Sequence, residues 1–488
     1  MIIPIILFSI WSIVLFLLII ASDSYDTTHL YLPSIIGTLV FCVFLFSQKH
    51  NTTKGIRNWG LRPTYICFLG LIIVNLQFFF DYAIGLSDLP SPLSTFGDYK
   101  DICLYGSLLF INIFTFTNFA TNRSFESNKI VSVKTNYKIW ELLYVAVFCV
   151  FILTINIQQF LSGEIYLGSG ASDYNWNISN SAETILKTIG VILVTLYTKR
   201  ISEKGTPNIS IKSYCKSIPF LFWIPFLLYT GLRLVSGDRG PVLYNILLVF
   251  YSYVLVSHKY LKIKIAIPLL LLGAFAVTLL GVIRSRDTNL SYIEKIEQSL
   301  IRQEEMDATS ARTISPFTRE LAGSVQCNYI AVRDIESGTP YTYGKYTLLQ
   351  GLTSFPGSKR SYFEPFGLTE DDFSSATYIT KSFNGSNYYT YGIGTAAFAE
   401  AYLEGGLLGV IITAIILGWL FKKIDLSYGK NCRVPRLNIC ALFTILIFSY
   451  NAIYISRSSL SLTLGSLIYT IVFYYILNFF IKRFRKTK

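Results

Sequence analysis

A short polar turn between two long apolar runs is the first place where this sequence offers chemistry. The turn reads SGDRGP over residues 236–241 and sets Asp238 and Arg239 just ahead of Pro241. Proline suits the first turn of a helix, and a helix N-terminus presents free N–H groups and a positive partial charge. With Arg239 beside them, these groups form a site for an anion. A solvated hairpin, in which Asp238 and Arg239 are neutralised by water and by each other, is the alternative.

Further arginines lie at the ends of apolar runs and in one long polar segment. The planar guanidinium of arginine suits phosphate and pyrophosphate, so these residues are candidates for binding an anionic ligand. Pairing with acids is the alternative, because residues 284–391 hold thirteen Asp and Glu beside eleven Lys and Arg. Arg239, Arg284 and Arg312 are the stronger candidates. The whole predicted anion-binding set is Arg239, Arg284, Arg286, Arg312, Arg319 and Arg457.

Two glutamates stand one helical turn apart in the Gly- and Ala-rich stretch of residues 392–409. Glu400 could act there as a general base or orient a sugar hydroxyl. The equal alternative is that an acid simply suits the N-terminal region of a helix. Asp238, Glu404 or an acid of the long polar segment could take the role of base instead.

Other catalytic chemistries find little support in the residues. There are only three histidines, His29, His50 and His258, and none falls in residues 284–391. The eight cysteines contain no CxxC pair and suggest neither a disulfide framework nor a zinc site. No catalytic triad, phosphate-binding Gly-rich loop or metal-ligand cluster is visible, so we expect chemistry without a metal or a cofactor.

The elements that must position these residues are transmembrane helices. The chain is 52% hydrophobic and only 15% charged, which is typical of a polytopic membrane protein. Apolar runs of about 20 residues are long enough to cross the roughly 30 Å of hydrocarbon in a bilayer. Twelve spans are predicted, at residues 2–21, 30–46, 64–83, 102–120, 140–160, 182–198, 218–235, 240–256, 265–283, 404–421, 437–455 and 462–481.

The connecting segments alternate in charge. Six of them carry 26 of the 42 Lys and Arg, and these six hold only three acids. Basic loops face the cytoplasm, so both termini are predicted to be cytoplasmic. The net charge of +13 is therefore an orientation signal, and binding of nucleic acid is not indicated.

This topology divides the chain into three parts. Residues 1–283 hold the first nine spans, residues 284–391 form an external, mostly helical domain, and residues 392–488 hold the last three spans. A helix is predicted where apolar residues recur every three or four positions from Phe317 to Ile335, ending at Gly338. A second is predicted from about Ser291 to Met306. The fold class is thus all-α and polytopic.

Three stretches resemble a known family when they are taken together. They are SGDRGPVL (236–243), YTYGKYTLLQGLTSFPG (341–357) and GIGTAAFAEAYLEGGLLG (392–409). With about a dozen spans and one large outer loop near the last third, the chain resembles the O-antigen, or oligosaccharide repeat-unit, polymerases of the Wzy family. The resemblance implies a fold similar to the integral-membrane GT-C glycosyltransferases.

The resemblance also implies a reaction. A glycan carried on undecaprenyl pyrophosphate would be transferred to a new lipid-linked repeat unit, on the outer face of the bacterial inner membrane and without a metal. Arg239 and Arg284 would act at the reacting centre with Glu400, and the arginine set would bind pyrophosphate. Contacts to substrate would come from Asp238, Glu404, Tyr343 and Lys345. A chain-length regulator stays open as a partner.

Two alternative functions share this architecture. One is an O-antigen ligase or another lipid-linked glycosyltransferase, and a ligase would depend on an outer-loop histidine, which residues 284–391 lack. A polyprenyl-linked oligosaccharide flippase also has about twelve spans, but it should show two similar halves and short outer loops. The single large external segment favours the polymerase over both.

Overall fold

The chain is helical throughout the part that the structure shows. The structure is a computed structural model, and it describes residues 2–22, 24–48, 59–86, 99–122, 124–126, 136–155, 157, 174–204, 209–236, 239–262, 264–268, 273, 318–355, 364–368, 370–384, 393–429 and 432–486. These residues contain no β-strand, and the fold is 81% helical. The predicted all-α class is confirmed.

Seventeen α-helices are named here in chain order. The first nine are α1 (Ile2–Ala21), α2 (Tyr31–Ser47), α3 (Pro63–Ala83), α4 (Lys100–Ala120), α5 (Tyr137–Thr154), α6 (Tyr174–Glu203), α7 (Ile211–Ser217), α8 (Phe220–Val235) and α9 (Arg239–Ser257). Five shorter helices follow, α10 (Arg319–Ala322), α11 (Val325–Glu336), α12 (Lys345–Leu352), α13 (Glu370–Phe373) and α14 (Ser375–Asn384). The last three are α15 (Ala397–Tyr428), α16 (Ile439–Tyr450) and α17 (Leu460–Lys486).

The long apolar runs form the long helices. Within the described residues, nine helices are long and apolar enough to cross a membrane. The predicted span 218–235 corresponds to α8, which α7 precedes at an angle of 107°, and α16 is a shorter apolar helix. The predicted span 265–283 lies almost wholly outside the described residues. The protein is therefore multi-pass, and the count of twelve spans stays a prediction.

The bundle has two chemically different ends. At one end, called the site end here, α9, α15 and α17 begin. At the other, called the basic end, α3 begins and α15 finishes. Arg62, at the start of α3, forms a buried ion pair with Asp425 of α15. At the same end the buried Lys199 donates to the carbonyl oxygens of Pro435 and Leu437, at 2.8 and 2.6 Å.

The core lies where α4 runs beside α15. α4 is buried along most of its length and lies between α1, α2 and α15. Gly418 of α15 permits the close approach, because a Cβ there would lie 2.4 Å from the carbonyl oxygen of Phe114. Small residues let helix backbones approach in this way inside membranes. The polar residues of the site end are thus carried by a tightly packed pair of helices.

The predicted helix from Phe317 to Ile335 is two helices. α10 ends at Ala322, and α11 begins at Val325 after a break at Gly323. The predicted stop at Gly338 is correct, since its φ of +102° suits glycine. α11 packs against α3 and α15. The second predicted helix, 291–306, lies outside the described residues, and the limits of an external domain stay a prediction.

Candidate functional site

The opening polar turn leads into a helix at the site end, as its proline suggests. α9 begins at Arg239 and has Pro241 in its first turn. The ring of Tyr244, in the next turn, lies 5.0 Å from the ring of Tyr454. Tyr454 belongs to the turn of residues 451–458 that joins α16 to α17 and carries Arg457. The N-terminus of α9 therefore stands beside the turn that carries a second predicted arginine.

Arg233, three residues before the polar turn, has a structural partner that sequence reasoning missed. It lies in the last turn of α8, is 6% exposed and forms an ion pair with Glu183 of α6. Glu183 also binds Lys187, at 2.7 Å, and accepts a hydrogen bond from Tyr229 at 2.7 Å. Glu183 and Lys187 lie one helical turn apart, so their pair is a local contact. Nothing local pointed to Arg233, which is fifty residues away from Glu183.

Glu400 is buried rather than open at the mouth of a span. It is 3% exposed, in the first turn of α15. Its carboxylate accepts hydrogen bonds from the backbone N–H of Ser461, at 3.3 Å, and from the Ser461 hydroxyl. A third comes from the hydroxyl of Ser375, at 3.0 Å. Because Ser461 is the second residue of α17, the carboxylate sits at a helix N-terminus, where its negative charge is stabilised.

Glu404 has the same relation to a different helix. Its carboxylate accepts from the backbone N–H of Thr347, at 2.6 Å, and from the Thr347 hydroxyl, at 2.7 Å. Thr347 is the third residue of α12, so Glu404 caps that helix from outside it. Glu400 and Glu404 thus each hold the beginning of another helix.

The predicted substrate contacts Tyr343 and Lys345 lie at the start of α12, beside Glu404. The backbone N–H of Tyr343 donates to the carbonyl oxygen of Glu404 at 3.1 Å, and the Tyr343 side chain is 82% exposed. Lys345 forms a salt bridge of 2.8 Å with Asp372. The exposed phenol ring is therefore free to meet a ligand, whereas Lys345 already has an acidic partner.

α15 is broken just after Glu404. Gly405 and Gly406 have non-helical dihedrals, and Gly406 has a φ of +58° that favours glycine. A Cβ on Gly406 would lie 2.8 Å from the phenol oxygen of Tyr341. The break therefore lets the segment that precedes α12 lie against the upper part of α15, residues 397–404.

The helices capped by the two glutamates pack against each other. A Cβ on Gly465 of α17 would lie 2.3 Å from the carbonyl oxygen of Gly351 in α12. The hydroxyl of Ser375, in α14, contacts both Glu400 and α12, since it lies 3.2 Å from the side-chain oxygen of Gln350. Three helices thus converge on the upper part of α15.

Among the predicted arginines, Arg457 lies at the site end, in the turn that joins α16 to α17. Its charge acts on the thiol of Cys327 in α11, where burial dominates and raises the pKa of the thiol to about 12. Arg319 is the first residue of α10. The remaining predicted residues Asp238, Arg284, Arg286 and Arg312 lie outside the described residues.

The described residues do not group potential metal ligands together. Across the described ranges, no set of three or more His, Cys, Asp or Glu side chains is placed to hold a metal ion. What the site end offers is helix N-termini, arginines and carboxylates. This combination suits a ligand that carries both phosphate groups and sugar hydroxyls.

Fold and site together define a class, an all-α multi-pass membrane protein in which Glu400 and Glu404 cap two helices at one end of the bundle. Over residues 2–488 the sequence matches the family described as O-antigen polysaccharide polymerase Wzy. The chain therefore belongs to the Wzy family of O-antigen polymerases, which join lipid-linked oligosaccharide repeat units within the membrane. No curated protein and no solved structure matches the chain.

Proposed function

We propose that the protein transfers a growing glycan from undecaprenyl pyrophosphate to the sugar end of a new lipid-linked repeat unit. The bond between the anomeric carbon and the pyrophosphate oxygen breaks, and the carbon bonds to a hydroxyl oxygen of the acceptor. The hydroxyl proton passes to a carboxylate, and undecaprenyl pyrophosphate leaves with the bonding electrons. A leaving group of this charge needs cations and N–H donors around it.

One observation supports this proposal most strongly. The N-terminus of α9, which begins at Arg239, lies beside the turn that carries Arg457, at the same end as Glu400. In the proposed site the two arginines and the first turn of α9 bind the pyrophosphate. Arg284, Arg286, Arg312 and Arg319 complete the proposed set from the segment before α11, and Arg284 acts with Arg239 at the reacting centre.

Glu400 is the proposed base. None of its described hydrogen-bond partners is a cation, so its charge is held only by hydroxyl and N–H donors. In the reaction a sugar hydroxyl replaces the Ser375 or Ser461 hydroxyl at the carboxylate and gives up its proton there. Asp238, Glu404, Tyr343 and Lys345 are the proposed contacts to the sugars.

The site end is proposed to face outward from the inner membrane. The charge pattern assigns the segments rich in Lys and Arg, together with both termini, to the cytoplasm, and Arg62 and Lys422, at the opposite end, belong to two of these segments. Alkaline phosphatase, which is active only outside the cytoplasm, tests this when it is fused after Lys488. An inactive fusion at Lys488 and an active one in residues 385–391 are expected, and the reverse result contradicts the orientation.

The reaction is tested with purified protein and a lipid-pyrophosphate-linked repeat unit, in the presence of a chelator. A ladder of lengthened, lipid-linked glycans is expected from the wild type, because no step is assigned to a metal. Arg239→Ala and Arg457→Ala should each lower kcat by roughly 100-fold, the usual effect of losing one donor to a developing charge. Arg200→Ala, at the basic end, is the matched control and should keep full activity.

The role of Glu400 is tested in the same assay. Glu400→Gln should lower kcat by roughly 100-fold or more, as loss of a general base does, with a thermal midpoint close to that of the wild type. Glu404→Gln changes the neighbouring carboxylate in the same way and should be much more active. Equal activities would remove the base role from Glu400.

Absence of a ladder, with movement of the lipid-linked unit between leaflets of proteoliposomes, would replace the polymerase by a flippase.

A further inference from the structure

A second polar site lies at the basic end of the bundle, far from the proposed reaction. A cleft of about 290 Å³, its open mouth included, is formed between α2, α4 and α15 and the start of α3. Two cationic side chains, Arg62 and Lys422, line it. The other lining residues are Leu45, Phe46, Gln48, Asn118 and Phe119.

Only one of the two cations is neutralised. Arg62 donates from Nε to the carboxylate of Asp425, which also accepts from the hydroxyl of Thr64. Asp425 is fully buried behind Arg62, and none of the described residues that line the cleft is an acid. One arginine and one lysine therefore face a single carboxylate, which leaves one positive charge in excess.

Lys422 carries that excess charge. Lys422 is 3% exposed and lines the cleft, yet within the described ranges its ammonium has no hydrogen bond or ion pair. A cation that is largely withdrawn from water without such a partner is costly, and the cost is relieved when an anion binds to it. The adjacent Lys423 is different, because its ammonium lies 4.2 Å from the ring centre of Trp419 and 5.1 Å from that of Phe125.

The level of the cleft relative to the bilayer and the residues that line it suit a lipid headgroup. α2 ends at Ser47 and α4 ends at Ala120, so the cleft lies where these spans leave the hydrocarbon. Lipid phosphates lie at that level, and basic pockets between helices bind anionic headgroups. Leu45, Phe46 and Phe119 offer apolar walls to the adjoining chain, and the amide of Gln48 adds a polar group at the cleft.

We infer that this cleft binds a phosphate group through Lys422, with Arg62 adding its positive charge. The phosphate could belong to an anionic phospholipid or be free in solution, and the two sources share the same chemistry. The site is separate from the proposed pyrophosphate site, since it lies at the opposite end of α15.

Native mass spectrometry of the purified full-length protein tests the inference. The protein is titrated with phosphatidylglycerol, with zwitterionic phosphatidylcholine, and with inorganic phosphate alone. Lys422→Met should weaken the tightest phosphatidylglycerol binding about tenfold or more, as expected for the loss of one charge-assisted hydrogen bond. Lys423→Met, the matched control, and Lys422→Arg, which keeps the charge, should bind as the wild type does.

The binding results distinguish a lipid phosphate from a free phosphate ion and from the absence of a site. Binding of phosphatidylglycerol that depends on Lys422 assigns the phosphate to a lipid, whereas binding of inorganic phosphate with the same dependence assigns it to a free ion. Equal binding of both probes by Lys422→Met and Lys423→Met overturns the site. If Lys422→Met is unfolded by its thermal midpoint, Lys422→Gln provides the second charge-removing variant for the same comparison.

Discussion

Glu400 and Glu404, one helical turn apart on α15, each bind the first turn of a different helix. Glu400 accepts the N–H of Ser461 in α17, and Glu404 accepts the N–H of Thr347 in α12. The two glutamates that sequence reasoning assigned to base and substrate contact therefore also position the helices around the proposed site. This double role sets what their substitution should do.

Removal of the Glu404 cap should destabilise the protein. We expect Glu404→Ala to lower the free energy of unfolding by about 1 kcal/mol, because the N-terminus of α12 loses its acceptor. Thermal midpoints in detergent measure the effect. Thr347→Ala removes only the hydroxyl bond and keeps the N–H bond, so its loss should be smaller. A loss from Thr347→Ala as large as that from Glu404→Ala would show that the cap is not what stabilises α12.

The break in α15 should depend on one of its two glycines. Gly406→Ala should cost about 1–2 kcal/mol, because an alanine at φ +58° is strained and its Cβ would meet Tyr341. Gly405 is the matched control, since its φ of −166° is extended and no atom lies within 4 Å of an added Cβ. Thermal midpoints that fall equally for both alanine variants would contradict a specific need for glycine at position 406.

The contact between α12 and α17 should tolerate an added methyl group at Gly351 of α12 but not at Gly465 of α17. An alanine at Gly465 would place its Cβ 2.3 Å from a backbone oxygen, so the helices must separate and several hydrogen bonds of the site end are disturbed. An alanine at Gly351 would meet its nearest atom at 3.7 Å, an ordinary contact. Gly465→Ala should therefore lower both stability and polymer yield by a large factor, whereas Gly351→Ala keeps them. A harmless Gly465→Ala would contradict this packing.

The buried ion pair at the basic end should respond strongly to the loss of one partner. Asp425→Ala leaves the Arg62 guanidinium buried without its carboxylate, at a cost of about 3–5 kcal/mol. The double variant Arg62→Met with Asp425→Ala removes both charges and should recover much of the loss. Folded yield and thermal midpoint of the wild type and of the two variants measure this. A double variant less stable than Asp425→Ala would contradict the pairing.

Local patterns in the sequence predicted the long helices well. Runs of about 20 apolar residues can satisfy their backbone groups inside a bilayer only as helices, so their positions follow from length alone. The recurrence of apolar residues every three or four positions from Phe317 to Ile335 and the stop at Gly338 are local patterns as well. The break at Gly323 was missed, since apolar residues continue the pattern across it.

Sequence patterns did not identify the partners of the site residues. Glu400 meets Ser461, sixty-one residues away, and Glu404 meets Thr347, fifty-seven residues away. The ion pair of Arg233 with Glu183 joins two spans whose loops say nothing of their contact. A pattern read along one helix shows which face is apolar, but it does not show which helix lies opposite.

The two glycines that interrupt α15 give the helix a mechanical joint. Above them, residues 397–404 are tied to the beginnings of α12 and α17 by the hydrogen bonds of the two glutamates. Below them, the rest of α15 is fixed to α4 by the close contact at Gly418. Any displacement of residues 397–404 would therefore pull on both capped helices, whereas the contact at Gly418 ties the rest of α15 to α4.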